Sequence, residues 1–208
     1  MRRLFIYLPL LVLFFLLPVS SQPLQPKFLQ PEGVKNSDPE FSTLWVDSVF
    51  TSLSLEQRIA QLILIAVHTD QGSDYYNLIE RQVAENNLGG IVFFKGGPLR
   101  QVKITNRLQE AAATPLLVAM DAEWGAAMRL DSVKAFPYHL TMGAIAGERL
   151  VYEMGHQAGL QLRRLGVHMS FGPVVDVNTN PDNPVINYRS FGESRFNVAV
   201  KGIAYMQG

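Results

Sequence analysis

Four short apolar runs recur along the chain, and each is bounded by polar residues or glycine. Runs of this length without polar alternation are typical of strands that are buried on both faces of a parallel sheet. The predicted strands are residues 62–67, 91–94, 116–120 and 167–175, and Gly172-Pro173 interrupts the last of them.

A first helix is predicted to start at Asp38-Pro39, because an N-cap aspartate followed by proline favours a helix start. Apolar residues follow at helical spacing and form one stripe: Phe41, Trp45, Val49 and Leu53. Ser54, with Gln57 three residues later, predicts a capping box for a short second helix that leads into the first strand.

Further helices are predicted over residues 75–87, 99–113 and 148–165, and a last one after residue 193. In the first of these, the residues predicted to face inward are Leu78, Ile79 and Val83. The helix over residues 148–165 ends at Gly166 as its C-cap, and its apolar face comprises Val151, Met154, Ala158, Leu162 and Leu165. The last helix carries three apolar residues on one face: Phe196, Val200 and Ile203.

Strands that alternate with helices predict βαβ units, and therefore an α/β fold with a parallel sheet. Four such units fit either a small open sheet or half of a closed barrel, which needs about 250 residues. The chain reaches Gly208 inside or just after a helix and without a stop signal, so we interpret it as truncated.

The N-terminus has the pattern of an export signal. Arg2 and Arg3 precede an uninterrupted apolar run over residues 4–19, and small residues follow it up to Ser21. This order predicts a signal peptide over residues 1–21 and a periplasmic or secreted protein. The alternative is a membrane anchor, since the run approaches the roughly 17 residues that span a bilayer. The remainder is divided into an extended leader and a folded domain, residues 22–37 and 38–208.

Composition narrows the classes of function. Lys plus Arg and Asp plus Glu each total 18 among 208 residues, so no general basic field attracts nucleic acid. The absence of cysteine excludes disulfide scaffolds and thiolate metal sites. The histidines lack the spacing of zinc ligands, and we expect neither a metal ion nor another cofactor.

Acidic residues follow two of the predicted strands. Asp121 and Glu123 come directly after the third strand, and Asp176 lies at the end of the fourth. In parallel α/β folds the carboxyl ends of the strands open onto one face, where ligands bind. Arg129 and Arg189 lie on the loops after the same two strands, so they can reach that face. Carboxylates that accept hydrogen bonds and arginines that donate them suit a polyhydroxy ligand.

These residues also have structural interpretations. Either arginine could instead pair with Glu123 or Asp176 and brace the loops. Trp124, beside the acids, could stack on a sugar face or anchor the loop by packing, and we favour packing.

Six segments carry a resemblance to a known family, and they are Gln61-Leu62, 88–94, Asp121-Ala122-Glu123-Trp124-Gly125 with Arg129, Phe136-Pro137, 170–178 and 187–192. In this order they resemble the N-terminal barrel of family 3 glycoside hydrolases, especially the bacterial β-N-acetylglucosaminidase branch. The resemblance spans residues 53–208. Trp124 departs from the family's paired glycines, and Glu193-Ser194-Arg195 departs from its aspartate-proline.

The resemblance implies a TIM-type (β/α)8 barrel and an exported, retaining exo-glycosidase that hydrolyses terminal β-linked N-acetylglucosamine. It implies that Asp121, Arg129 and Arg189 hold the sugar where the bond breaks, and that Glu123 and Asp176 support them. The family's nucleophile and acid/base correspond to positions beyond Gly208, so we assign no catalytic residue and expect this portion alone to be inactive.

The expected partner is a carbohydrate substrate, without nucleic acid and without stable membrane insertion after signal cleavage. Two alternatives remain. One is a β-glucosidase or β-xylosidase of the same family, and the other is a catalytically silent sugar-binding barrel.

Overall fold

In the computed structural model, which describes residues 39–208 and their side chains from Leu44 onward, a four-stranded parallel sheet forms the centre of the fold. Its strands are β1 (Leu64–His68), β2 (Gly90–Lys95), β3 (Leu117–Met120) and β4 (Met169–Ser170). They lie side by side in chain order, each parallel to the next. A barrel has this sequential order, whereas a doubly wound sheet reverses its order at a switch point. The predicted α/β class with parallel strands is confirmed.

Three of the sequence predictions fall elsewhere in the chain. The signal peptide over residues 1–21, the leader over 22–37 and the helix cap at Asp38 lie outside the described residues. Within residues 39–208, every helix is too short or too polar to cross a membrane.

Helices connect and flank the strands. Those in the described residues are α1 (Pro39–Ser52), α2 (Leu55–Ala60), α3 (Ser73–Asn86), α4 (Pro98–Ala111), α5 (His139–Gly143), α6 (Arg149–Arg164) and α7 (Arg195–Gln207). The predicted capping box of α2 is present, because Ser54 accepts from the Gln57 amide while the Gln57 side chain accepts from the Ser54 amide. The helix α6 is followed, as predicted, by Gly166 at φ +70°, a left-handed conformation that favours glycine.

Two apolar clusters hold these elements together. The first packs the strands against α3 and α4, and it includes the buried residues Ile79, Val83, Ile104 and Leu108. The second packs α5, α6 and α7, and it includes Val151, Met154, Val198 and Tyr205. Trp124, Phe136 and Val177 from the loops after β3 and β4 pack against the second cluster. Burial of each large apolar side chain stabilises the fold by roughly 1.5–3 kcal/mol, so the second cluster fixes where those loops lie.

The fourth strand is shorter than predicted. The apolar run over residues 167–175 contributes only Met169–Ser170 to the sheet. The amide of Phe171 still donates to the carbonyl of Met120, at 3.0 Å, but the next residues are Gly172 and Pro173. Proline has no amide hydrogen to donate to a neighbouring strand, so regular pairing ends there.

One predicted inward residue needs correction, and one predicted stripe lies on an exposed face. Leu78 of α3 is 43% exposed, although Ile79 and Val83 are buried as predicted. On α7 the predicted stripe does share a face, but that face is the exposed one, and Phe196 is 70% exposed. The opposite face of α7 carries the residues that contact the core: Val198, Ala204 and Tyr205. Because both faces of α7 are apolar, its spacing could not show which one is buried.

The apolar stripe predicted for α1 is not fully buried at the residues whose side chains are described. Trp45 is about half exposed, and Val49 and Leu53 are intermediate. The side chain of Phe41 lies outside the described residues.

Candidate functional site

The loop after β3 brings Asp121 and Arg129 together. Asp121 directly follows the strand, and Gly125 then turns the chain at φ +86°, a conformation that favours glycine. The 3-10 turn Ala126–Met128 carries the chain back toward the end of β2, where the next residues bridge Gly96. As a result, Nη2 of Arg129 donates a hydrogen bond to Oδ2 of Asp121 within an ion pair.

Aromatic side chains from two further strands support this ion pair. The guanidinium carbon of Arg129 lies 4.9 Å from the ring centroid of Phe94 in β2, which is a cation–π contact. On β1, His68 stacks against Phe94 with ring centroids 5.7 Å apart. The side chains of Arg129 and Asp121 remain 25% and 26% exposed. The ends of three neighbouring strands therefore contribute an ion pair and two aromatic rings to one surface, and the ion pair is partly open to solvent.

A second ion pair joins the loop after β3 to the loop after β4. Nε of Arg189 donates to both carboxylate oxygens of Glu123, at 3.2 and 3.0 Å, and Nη2 donates to Oε1 at 2.6 Å. The Arg189 side chain is 29% exposed, whereas Glu123 is only 2% exposed. Hydrogen bonding to Glu123 raises the pKa of Arg189 above its ordinary value.

Arg189 had two interpretations, a ligand-binding residue and a brace between loops, and this geometry is compatible with both. Arg189 is a loop brace, since it binds Glu123 and also donates from Nη1 to the carbonyl of Val185 at 3.2 Å. A guanidinium has five N–H donors, so these contacts leave N–H groups on Nη1 and Nη2 for a ligand. After Glu123, the charges of Asp176 and Asp121 also raise the pKa of Arg189.

A buried histidine lies between the backbones of the second ion pair. His139 begins α5 and has no exposed surface. Its Nε2 lies 2.7 Å from the carbonyl oxygen of Glu123, and its Nδ1 lies 2.9 Å from that of Arg189. Its ring stacks on Phe191 with centroids 4.4 Å apart and meets the edge of Tyr205. Burial lowers the pKa of His139, although hydrogen bonding to the two carbonyls opposes this effect.

Sequence patterns did not single out His139 or Phe94. No sequence pattern distinguishes His139 from the other histidines. The feature that could have identified it is its position close after the family-like segment Phe136-Pro137, with only Tyr138 between them. Phe94 was assigned to a strand, but its contact with Arg129 depends on how the loop after β3 returns.

Trp124 packs against other aromatic residues of these loops. Its ring lies 4.8 Å from that of Tyr138 and 6.3 Å from that of Tyr188, and the two tyrosines lie 4.4 Å apart, all between ring centroids. The two tyrosines come from the loops after β3 and β4, so this cluster joins the same loops as the second ion pair. The preferred interpretation of Trp124 as a loop anchor agrees with these contacts.

Asp176 takes part in neither ion pair. It is exposed, and its backbone carbonyl accepts a hydrogen bond of 2.5 Å from Oγ of Ser190. Its carboxylate forms no salt bridge within the described part of the chain. Among side chains of residues 44–208, no group of three or more histidine and acidic residues is arranged to hold a metal ion.

A known protein family matches the part of the chain that carries both ion pairs. Residues 54–208 match the N-terminal domain of glycosyl hydrolase family 3. The chain is similar to β-hexosaminidase A of Pseudoalteromonas piscicida, at 33% identity over 138 residues, which are 60% of this chain and 23% of that protein. It is also similar to β-hexosaminidase LpqI of Mycobacterium tuberculosis, at 30% identity over 162 residues, which are 75% of this chain and 40% of that protein.

A solved structure gives the same result. A glycoside hydrolase family 3 β-N-acetylglucosaminidase from Paenibacillus sp. is 34% identical, with a TM-score of 0.65 over 74% of this chain and 30% of that one. This similarity agrees with a TIM-type barrel for the sheet and its helices. The chain spans less than half the length of each of these three relatives.

Proposed function

Because the chain belongs to glycoside hydrolase family 3, we propose that it forms the sugar-binding part of a retaining exo-glycosidase that releases terminal β-linked N-acetylglucosamine. The observation that carries the proposal is the pair of Asp/Glu–Arg contacts at the carboxyl ends of β3 and β4, where barrel enzymes bind their ligands. The names of the three relatives support the choice of sugar.

The chemistry of the Asp121–Arg129 pair suits a pyranose. A sugar hydroxyl is both a donor and an acceptor, so one hydroxyl can donate to Asp121 while its neighbour accepts from Arg129. Both side chains keep about a quarter of their surface exposed, which leaves acceptor and donor atoms for a ligand. Hydrogen bonds to charged groups are about twice as strong as neutral ones. This pair therefore supplies the main contacts in the proposal, and the free N–H groups of Arg189 add to them.

The assignment concerns binding and orientation. In a retaining glycosidase a carboxylate attacks the anomeric carbon, and a second group acts first as acid and then as base. Asp121, Arg129 and Arg189 would hold the sugar for that attack, and correct orientation alone accelerates such reactions strongly. We assign neither the nucleophile nor the acid/base to a residue of this chain.

The test is the Asp121→Asn variant of the full-length protein. The amide keeps the size of the side chain but loses the charge and one acceptor, and the loss of a charge-assisted hydrogen bond lowers kcat/KM by about 10- to 100-fold. The matched control is Asp47→Asn, since Asp47 is an exposed acid on α1. Aryl glycosides of N-acetylglucosamine, glucose and xylose identify the preferred sugar. An unchanged rate in Asp121→Asn would remove the principal binding residue, and preference for the glucoside or xyloside would reassign the substrate.

We also propose that the protein is exported, on the strength of Arg2, Arg3 and the apolar run over residues 4–19. The mature protein should be recovered from the periplasm or the medium with an N-terminus near Gln22. Recovery from the membrane fraction with Met1 or Arg2 retained would instead indicate an anchor.

A further inference from the structure

The imidazole of His139 lies between carbonyl groups of two different loops. One carbonyl belongs to Glu123 after β3, and the other belongs to Arg189 after β4, at 2.7 and 2.9 Å from the two ring nitrogens. Carbonyl oxygens only accept hydrogen bonds, and a neutral imidazole has a single N–H. The neutral ring therefore donates a hydrogen bond to the carbonyl of one loop only, while the lone pair of its other nitrogen faces the carbonyl oxygen of the other loop. A ring that carries two protons donates to both loops.

We propose that His139 is a positioning residue that couples the Glu123 loop to the Arg189 loop, and that a second proton on its ring changes this coupling from one hydrogen bond to two. In this proposal the neutral ring keeps its proton on Nε2, which makes the shorter contact, 2.7 Å to Glu123. Proton uptake at Nδ1 then adds the hydrogen bond to Arg189.

Burial lowers the pKa of His139, so the second proton binds only below the ordinary value, although hydrogen bonding to the carbonyls of Glu123 and Arg189 favours it. The carboxylate of Glu123 favours the charged ring and the guanidinium of Arg189 opposes it, and the two groups are paired with each other. Burial raises the pKa of Tyr205 to about 12, so its hydroxyl stays neutral throughout this range. The face of Phe191, stacked on the imidazole, is a favourable neighbour for a cation.

The burial of His139 separates this role from catalysis. Its side chain has no exposed surface and contacts backbone carbonyls and aromatic rings, so it has no route to a substrate. It can affect a ligand only indirectly, by changing the positions of Glu123 and Arg189, which form an ion pair with each other. The functional consequence rests on the proposed sugar site: fixing the Arg189 backbone should strengthen binding as the pH falls.

The ring itself can be observed by nitrogen NMR of the full-length protein with labelled histidine. The His139 signals are identified through ring-proton contacts to Phe191 and Tyr205, which requires no variant. We expect one protonated and one unprotonated nitrogen at about pH 8, and two protonated nitrogens after a transition with its midpoint below the usual 6.5. A ring that stays neutral or stays charged from about pH 8 to about pH 5 would overturn the inference.

Binding of N-acetylglucosamine, measured by calorimetry across the same pH range, tests the coupling. The wild-type affinity should rise about fivefold on acidification, the factor expected for one added hydrogen bond. The side-chain amide of His139→Gln donates from one nitrogen only and does not gain a proton in this range, so the variant should match the wild type at about pH 8 and lose the rise. His139→Phe keeps an aromatic ring without donors and should bind about fivefold more weakly even at about pH 8.

The matched control is His156→Gln, because His156 is exposed on α6, and this variant should keep the full pH dependence. A His139→Gln protein with the wild-type pH dependence would contradict the inference. If no sugar binds at any pH, the proposed function fails, and the NMR titration decides the role of His139 by itself.

Discussion

Replacing Arg189 with methionine removes the partner of a carboxylate that is almost fully buried. Glu123 is 2% exposed, and its two oxygens accept three hydrogen-bond contacts from Arg189. Without Arg189 the carboxylate is either charged without a counter-ion or must bind a proton, and both states raise the free energy of the fold. Removing one partner of a buried ion pair costs about 3–5 kcal/mol. We expect about 3 kcal/mol, because water can replace part of an arginine that is 29% exposed.

The matched control is the same substitution in the other ion pair. Arg129 and Asp121 are each about a quarter exposed, and a single hydrogen bond joins them. Water can solvate the remaining carboxylate in Arg129→Met, so we expect a loss of about 1 kcal/mol. Denaturant unfolding of the full-length variants, with their m-values compared, gives both free energies of unfolding.

A double variant separates the lost charge partner from the lost packing. In Glu123→Gln/Arg189→Met no buried charge is left without a partner, so most of the stability lost in Arg189→Met should return. Equal losses in Arg189→Met and Arg129→Met would refute the reasoning from burial. So would a double variant that is less stable than Arg189→Met.

Two further predictions concern stability. Gly125→Ala should lower the free energy of unfolding by about 2 kcal/mol, since φ is +86° and the new Cβ would lie 2.6 Å from Phe136. Gly159→Ala on α6, where a Cβ meets nothing within 4 Å, should instead raise it by about 0.5–1 kcal/mol, and thermal melting that shifts both variants in one direction would contradict this. The pKa of His139 is lowered in the folded protein, so the unfolded chain binds more protons just below pH 6.5. The stability that His139 contributes should be complete above that pH and fall as the pH decreases through the folded-state pKa, and denaturant titrations of His139→Gln should be flatter there.

The positions of the strands could be predicted from the sequence, because a strand that is buried on both faces requires a continuous apolar run. The strands β1, β2 and β3 lie inside or within two residues of the predicted runs over 62–67, 91–94 and 116–120. Hydrophobic pattern alone does not show which face of a helix is buried or where a strand ends. The helix α7 is apolar on both sides, and the run over 167–175 contains a proline that stops pairing after Ser170.

The candidate site was predictable to the extent that it depends on strand ends. Asp121 and Arg129 are eight positions apart on one loop, so a single turn brings them together as expected. The contact of Glu123 with Arg189 spans 66 positions, and the contact of His139 with Arg189 spans 50. The sequence offered the Glu123–Arg189 pairing only as one of several alternatives. The choice among them depends on how two loops pack on the cluster between α5, α6 and α7, which local patterns do not specify.

The two ion pairs differ in burial, and this difference suits one pair to ligand contact and the other to holding two loops together. A pair that must contact a ligand has to keep exposed atoms, whereas a pair that must hold two loops benefits from a carboxylate shielded from water. Asp121 and Arg129 meet the first condition, with 26% and 25% of their side chains exposed. Glu123 meets the second condition, since its side chain is 3% exposed and fixed by Arg189. In the proposed site, Glu123 holds the two loops together and Asp121 contacts the ligand. Arg189 would do both, because its guanidinium has more N–H donors than Glu123 uses.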